Sequence, residues 1–130
     1  MPTQHVLFIC QTCAFSQTER EHEGQKGGQY LLEAVKNLHQ EWELQADVAI
    51  QPVECLSACS RSCAVALAAP GKYTYLFGDL PAQTSASAVL ECASLYVAAD
   101  DGYLPWANRP QPFKNGILAR IPPLPSSFST

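Results

Sequence analysis

The sequence predicts one α/β domain with the element order β-α-β-β-β-α, followed by a proline-rich extension. Three observations carry this expectation. A short run with β-branched and aromatic members, Val6-Leu-Phe-Ile9, precedes a long stretch of helical spacing, and the alternating segment Val48 to Glu54 follows it. Beyond these, two apolar runs around Pro70-Gly71 read as a hairpin, and Thr84 to Ala99 reads as a second helix.

Taken in order, Val6 to Ile9 suits a buried strand ending at Cys10. The stretch Phe15 to Gly28 is polar and charged and is punctuated by Gly24, Gly27 and Gly28, which fits a connecting loop. His22 in that loop, among glutamates, is expected to be solvated. From Gln29 to Leu44, Leu31, Leu32, Val35, Leu38 and Trp42 fall on one stripe, the signature of an amphipathic helix. His39 lies in this helix with no ligand-type residue at metal spacing, and a place on the helix surface or partly buried is expected for it.

Pro52 lacks a backbone donor, so the second strand is expected at a sheet edge or at a bulge. The runs Ala64–Ala69 and Tyr73–Phe77 then form the hairpin, with proline presetting φ and Gly71 taking a positive φ. In the second helix Val89, Leu90, Ala93, Tyr96 and Val97 lie near one face, and Ser or Thr is available as a cap. Cys92, isolated within that helix, reads as a small buried hydrophobe. Six further prolines follow Asp101, with one short helix expected between Pro110 and Gly116 in a segment laid across the domain. Residues 1–100 are read as the core domain and 101–130 as an extension packed on it.

Five of the six cysteines fall in two groups, Cys10-Gln-Thr-Cys13 and Cys55-Leu-Ser-Ala-Cys59-Ser-Arg-Ser-Cys63. A crossover helix makes its two flanking strands parallel, so Cys10 and Cys55, at the ends of those strands, should emerge at the same sheet edge. Open α/β sheets commonly place their sites there. Four thiolates suit either an iron–sulfur cluster or zinc.

If residues 55 to 63 were helical, Cys55 and Cys63 would lie about 12 Å apart along the axis, too far for one small centre. The expected ligand set is therefore Cys10, Cys13, Cys55 and Cys59, with Cys63 as an alternate ligand or a neighbour just outside it. Ser57, Ser60, Ser62 and Arg61 could hydrogen-bond to, or offset the charge of, an anionic cluster, or could face water.

The composition bounds the partners. A net charge of −4 with eight scattered Lys and Arg argues against nucleic-acid or anionic-membrane binding. The N-terminus has no secretory pattern and no apolar run long enough for a span, so the expected location is the cytoplasm, where clustered thiols read as ligands before disulfides.

The segment Val53-Glu-Cys55-Leu-Ser-Ala-Cys59-Ser-Arg-Ser-Cys63, followed by Pro70-Gly71-Lys-Tyr-Thr-Tyr-Leu-Phe-Gly78, resembles the second half of thioredoxin-like [2Fe-2S] ferredoxins. With Asp101-Gly-Tyr-Leu-Pro-Trp106 and Ile117-Leu-Ala-Arg-Ile-Pro122, the chain to about Pro123 also resembles a bacterial family of metal-binding proteins of unknown function. The resemblance implies a thioredoxin-like fold, a [2Fe-2S] cluster and a homodimer, the last suggested also by the aromatic hairpin Tyr73 to Phe77. The spacing of two residues between Cys10 and Cys13 is tighter than in those ferredoxins, and Cys63 is an extra thiol.

The leading functional reading is a small iron–sulfur protein in electron transfer or in redox or iron sensing, a carrier rather than an enzyme. Its redox partner would dock through a basic face. The alternatives are a zinc-binding or metal-trafficking module, and a thiol–disulfide oxidoreductase using Cys10 and Cys13.

Overall fold

A computed structural model of the protein describes residues 5–11, 21–22, 25–54, 63–81, 84–114 and 116–123. Strand β1 is His5–Cys10, and Glu21–His22 and Gln25–Lys26 form a small antiparallel pair, β2 and β3. Helix α1 is Gly27–His39, strand β4 is Val48–Val53, and β5 (Val65–Ala68) with β6 (Thr74–Phe77) makes the hairpin. Helix α2 is Ala86–Ala98 and β7 is Ile117–Ile121. The larger sheet runs β4-β1-β5-β6-β7.

The order strand, helix, strand, hairpin, helix is the one expected. The two strands flanking α1 are parallel, with Cys10 opposite Val53. Strand β4, which carries Pro52, lies at the edge of the sheet, where a missing amide donor costs no ladder bond. At the hairpin tip Lys72 N–H donates to Ala69 O at 3.2 Å and Gly71 has φ +73°, as a Pro-Gly turn requires.

Register decides what is buried. Leu7, Leu67 and Tyr75 are cross-strand partners, as are Ile9, Val65 and Phe77, so each row shares one face of the sheet. These residues join Leu31 and Val35 of α1 and Val89, Ala93 and Tyr96 of α2 in one core. The opposite face carries the half-buried Val6, Phe8 and Leu76. Tyr75 and Phe77 stack at 5.5 Å with no exposure, so those two hairpin rings serve the core.

Four expectations are corrected. Helix α1 stops at His39 rather than Leu44. His39 Nε2 lies 2.8 Å from Val48 O, and the chain tightens into turns such as Trp42 N–H to His39 O, which ends the helix although apolar spacing continues. Leu38 is accordingly left 45% exposed. The polar stretch before α1 holds the β2–β3 ladder, and the helix takes up Gly27 and Gly28.

Ser85 precedes α2 in the capping position, but its side chain makes no capping bond and its Oγ is buried without a partner among the described residues. Finally, the expected short helix after Pro110 is a single 3-10 turn, Gln111–Phe113, with another at Trp106–Asn108. The proline density does not permit a longer run.

The segment after Asp101 becomes part of the domain itself. Strand β7 pairs antiparallel with β6, and Phe113 is fully buried with its ring edge-on to Phe77 at 4.7 Å. Lys72 ties the hairpin tip to the end of α2, its Nζ donating to Tyr96 O at 3.0 Å and Val97 O at 3.2 Å. That ammonium adds a donor to the last carbonyls of the helix and faces the negative end of its dipole.

Candidate metal centre

Three strand ends define the site. Parallel pairing brings the C-terminal ends of β1 and β4 to one edge, and antiparallel pairing of β1 with β5 brings the start of β5 to the same edge. Cys10 N–H donates to Ala64 O at 3.2 Å and Gln11 N–H to Val53 O at 2.9 Å, so the ladder is closed up to the thiol-bearing residue. Cys10 is 1% exposed, and its Sγ lies 3.8 Å from Glu54 O. Glu54 is followed directly in the chain by Cys55.

Cys63 sits on the other side of Cys10. It is fully buried, and it exchanges two backbone hydrogen bonds with Leu80, Cys63 N–H to Leu80 O at 3.0 Å and Leu80 N–H to Cys63 O at 3.2 Å. Burial pushes its thiol from 9.0 up to about 12, and the charge of the neighbouring Cys10 acts in the same direction. A Cys63 thiolate beside Cys10 is therefore disfavoured unless a cation is shared between the two sulfurs.

Helix α1 closes the site from the core side. A Cβ on Gly28 would lie 2.0 Å from Cys10 O and 2.9 Å from Gln11 Cα, so the first turn of α1 rests directly on the backbone that carries Cys10. The positive end of the α1 dipole at that place favours negative charge. The sequence reading treats Gly27-Gly28 as loop punctuation and misses this role. The available signal was a glycine pair directly before an apolar stripe.

Of the expected ligands, Cys10 is at the edge, and Cys13, Cys55 and Cys59 lie outside the described residues, as do Ser57, Ser60, Arg61 and Ser62. Among the described residues no three His, Cys, Asp or Glu side chains gather in ligand geometry. The donor set that is described fits a thiolate-bound centre in kind: Cys63 neighbours Cys10, and Glu54 O lies at the same edge. His22 has its backbone in β2, and its side chain is not among those described. His39 bonds to a backbone carbonyl within the fold, in keeping with a structural role.

Cys92 is fully buried in α2. Its thiol is pushed from 9.0 up to about 12 by burial, with Arg109 lowering it and Glu91 raising it to smaller extents. The folded chain thus holds this proton to higher pH than the unfolded chain does. Stability present below pH 9 is lost as pH rises toward 12, at up to about 1.4 kcal/mol per pH unit. Between pH 9 and pH 10 this thiol is expected to contribute a fall of about 1 kcal/mol to the urea-unfolding stability of metal-free protein, beside the similar fall from Cys63, and Cys92→Ala should remove its share.

Residues 7–123 match the family described as protein of unknown function, DUF1636. The chain belongs to this family. No curated protein matches the sequence. Among solved structures, this DUF1636 chain is similar to a thioredoxin-like [2Fe-2S] ferredoxin from Aquifex aeolicus, with 14% identity and a TM-score of 0.56 over 90% of this chain and 92% of that one. It is also similar to the wild-type thioredoxin-like [2Fe-2S] ferredoxin from the same organism, with 14% identity and a TM-score of 0.53 over 89% and 97%. The DUF1636 chain therefore has a thioredoxin-like α/β fold, as the spacing of its elements and the resemblance both imply. No helix among the described residues is long and apolar enough to cross a membrane.

Proposed function

We propose that this protein holds a [2Fe-2S] centre on Cys10, Cys13, Cys55 and Cys59, with Cys63 beside it, and acts as an electron carrier or as a sensor of redox state or iron. The observation that carries the reading is the meeting of the ends of β1 and β4 with the start of β5, which supports a common site for the two cysteine groups. A [2Fe-2S] centre there would supply one-electron chemistry.

The chain's own residues prepare such a site in three ways. The ladder bonds from Cys10 N–H and Gln11 N–H fix the strand end, so a thiolate at residue 10 has a set position. The first turn of α1 presents positive dipole to that strand end. The apolar core under Cys10 and Cys63 keeps water from one side, which raises the cost of added negative charge and so bears on reduction potential.

The dithiol reading is weakened by the burial of Cys10, 1% exposed, since thiol–disulfide exchange needs an accessible thiolate. A zinc site uses the same four thiolates. The net charge of −4 supports a partner with a basic docking face.

Iron and acid-labile sulfide in anaerobically purified protein, together with its visible spectrum, test the reading. The expected result is about two of each per chain and a coloured protein, as a [2Fe-2S] centre requires. Colourless protein with zinc at one ion per chain would overturn it in favour of the zinc module. Dithiol exchange activity that survives Cys55→Ser and Cys59→Ser, with no iron in the parent, would favour the oxidoreductase.

A further inference from the structure

A second site is built away from the cysteine edge, between the end of α2 and the segment that follows Asp101. A pocket of about 230 Å³ is walled there by Leu95, Ala98, Leu104 and Pro105, with Tyr103, Asn108 and Arg109 bringing polar groups. Arg109 is only 8% exposed. Its Nε donates to Leu104 O at 3.0 Å, and its guanidinium lies 5.9 Å from the centre of the Tyr75 ring. No carboxylate of the described residues pairs with it, and its two Nη groups meet no acceptor among them.

The Nη groups are not cut off from solvent, so water satisfies them unless a ligand takes its place. Nearby Cys92 cannot serve as the counter-ion, because its buried thiol keeps its proton up to about pH 12. The guanidinium also rests against the Tyr75 ring, and the Nη pair remains as a planar fork beside an apolar pocket. Carboxylate oxygens match that fork, two parallel N–H to O bonds being its best partner.

The surroundings select the charge and size of the ligand. Asp100 and Asp101 are exposed beside Ala99 of the pocket wall, and the wall includes the C-terminal end of α2, whose dipole is negative. One cation in such a setting favours a single negative charge over a phosphate or a dicarboxylate. An apolar cavity of about 150 Å³ holds a benzene ring, so this pocket has room for a ring or a branched chain with its carboxylate.

We infer that the pocket at Arg109 binds a small monocarboxylate with a compact apolar body, its carboxylate on the Arg109 guanidinium and its body against Leu95, Ala98 and Leu104. The site is independent of what the cysteines hold.

The test uses the full chain and sodium benzoate, followed by amide chemical shifts, with benzamide as the uncharged isostere and sodium chloride as the ionic control. Benzoate is expected to give saturable shifts confined to residues around 95–109, with benzamide at least about tenfold weaker and chloride without effect, as loss of a charge-assisted pair implies. Ala98→Leu fills the pocket from an exposed helix position without touching Arg109, and is expected to weaken benzoate at least about tenfold while the circular dichroism stays unchanged. Arg109→Gln should abolish the preference of benzoate over benzamide.

Equal binding of benzamide would overturn the carboxylate assignment. Absence of saturable shifts in the parent, with Arg109→Gln only lowering the melting temperature, would leave Arg109 as a clamp for Leu104 and overturn the site. Unaltered binding in Ala98→Leu would do the same. If Arg109→Gln does not fold, the benzamide comparison and Ala98→Leu decide.

Discussion

Gly28→Ala is expected to destabilise the protein by about 3 kcal/mol or more, although alanine is the better helix former by about 1 kcal/mol. The added methyl would lie 2.0 Å from Cys10 O and 2.8 Å from the carbonyl carbon of Gln11. Both are backbone atoms held by the β1 ladder, where Cys10 N–H and Gln11 N–H donate to Ala64 and Val53. No rotamer change relieves the overlap, so α1 must lift from β1, and Leu31 and Val35, both fully buried, lose part of their packing.

The same shift should open Cys10, raising its alkylation rate in metal-free protein. Urea unfolding and iodoacetamide labelling measure the two effects. A comparison variant, Gly71→Ala, has nothing within 4 Å of the added Cβ and only its φ of +73° to oppose it, so about 1 kcal/mol is expected there. Stability of Gly28→Ala equal to that of the parent would mean that α1 does not seat on the cysteine-bearing strand end.

The contrast between Gly28 and the rest of the edge shows what the sequence could and could not convey. The convergence of the strand ends was legible, because Val6–Ile9, the α1 stripe and Val48–Glu54 together imply a parallel crossover, and parallel strands share their C-terminal edge. Pro52 marked its own strand as an edge for the same kind of reason, a missing donor. The seat of α1 was not legible, since glycines before a helix look the same whether they turn a loop or admit a neighbouring backbone.

The end of α1 was hidden for a related reason. Trp42 and Leu44 continue the apolar spacing, and only the His39 bond to Val48 O and the turns after it reveal the stop. Strand β7 escaped because Ile117-Leu-Ala-Arg-Ile121, between Gly116 and Pro122, neither alternates nor makes an unbroken apolar run. Its identity depends on β6 being available beside it. Cys63, in a Ser-rich stretch, read as marginal to the site, yet it is fully buried beside Cys10.

That burial sharpens the test of the ligand set. If Cys10, Cys13, Cys55 and Cys59 hold the centre, Cys63→Ala should keep about the full iron and sulfide content, while Cys13→Ser should lose most of it, a four-thiolate centre being incomplete with three. Alanine is the cleaner replacement because a serine hydroxyl at a fully buried position would be left to find a partner. The cost of the missing sulfur volume is about 1 kcal/mol, too small to unfold the domain.

A retained centre in Cys63→Ala should still change, since the protonated thiol beside Cys10 is a weak donor toward sulfur and its removal takes away one hydrogen-bonding group. The expected sign is a lower reduction potential, because hydrogen bonds to cluster sulfur favour the reduced state. The reverse pattern, iron lost in Cys63→Ala and kept in Cys13→Ser, would place Cys63 among the ligands. The two backbone bonds between Cys63 and Leu80 would then be what holds a ligand in position, and Leu80, 1% exposed, would become the next residue to vary.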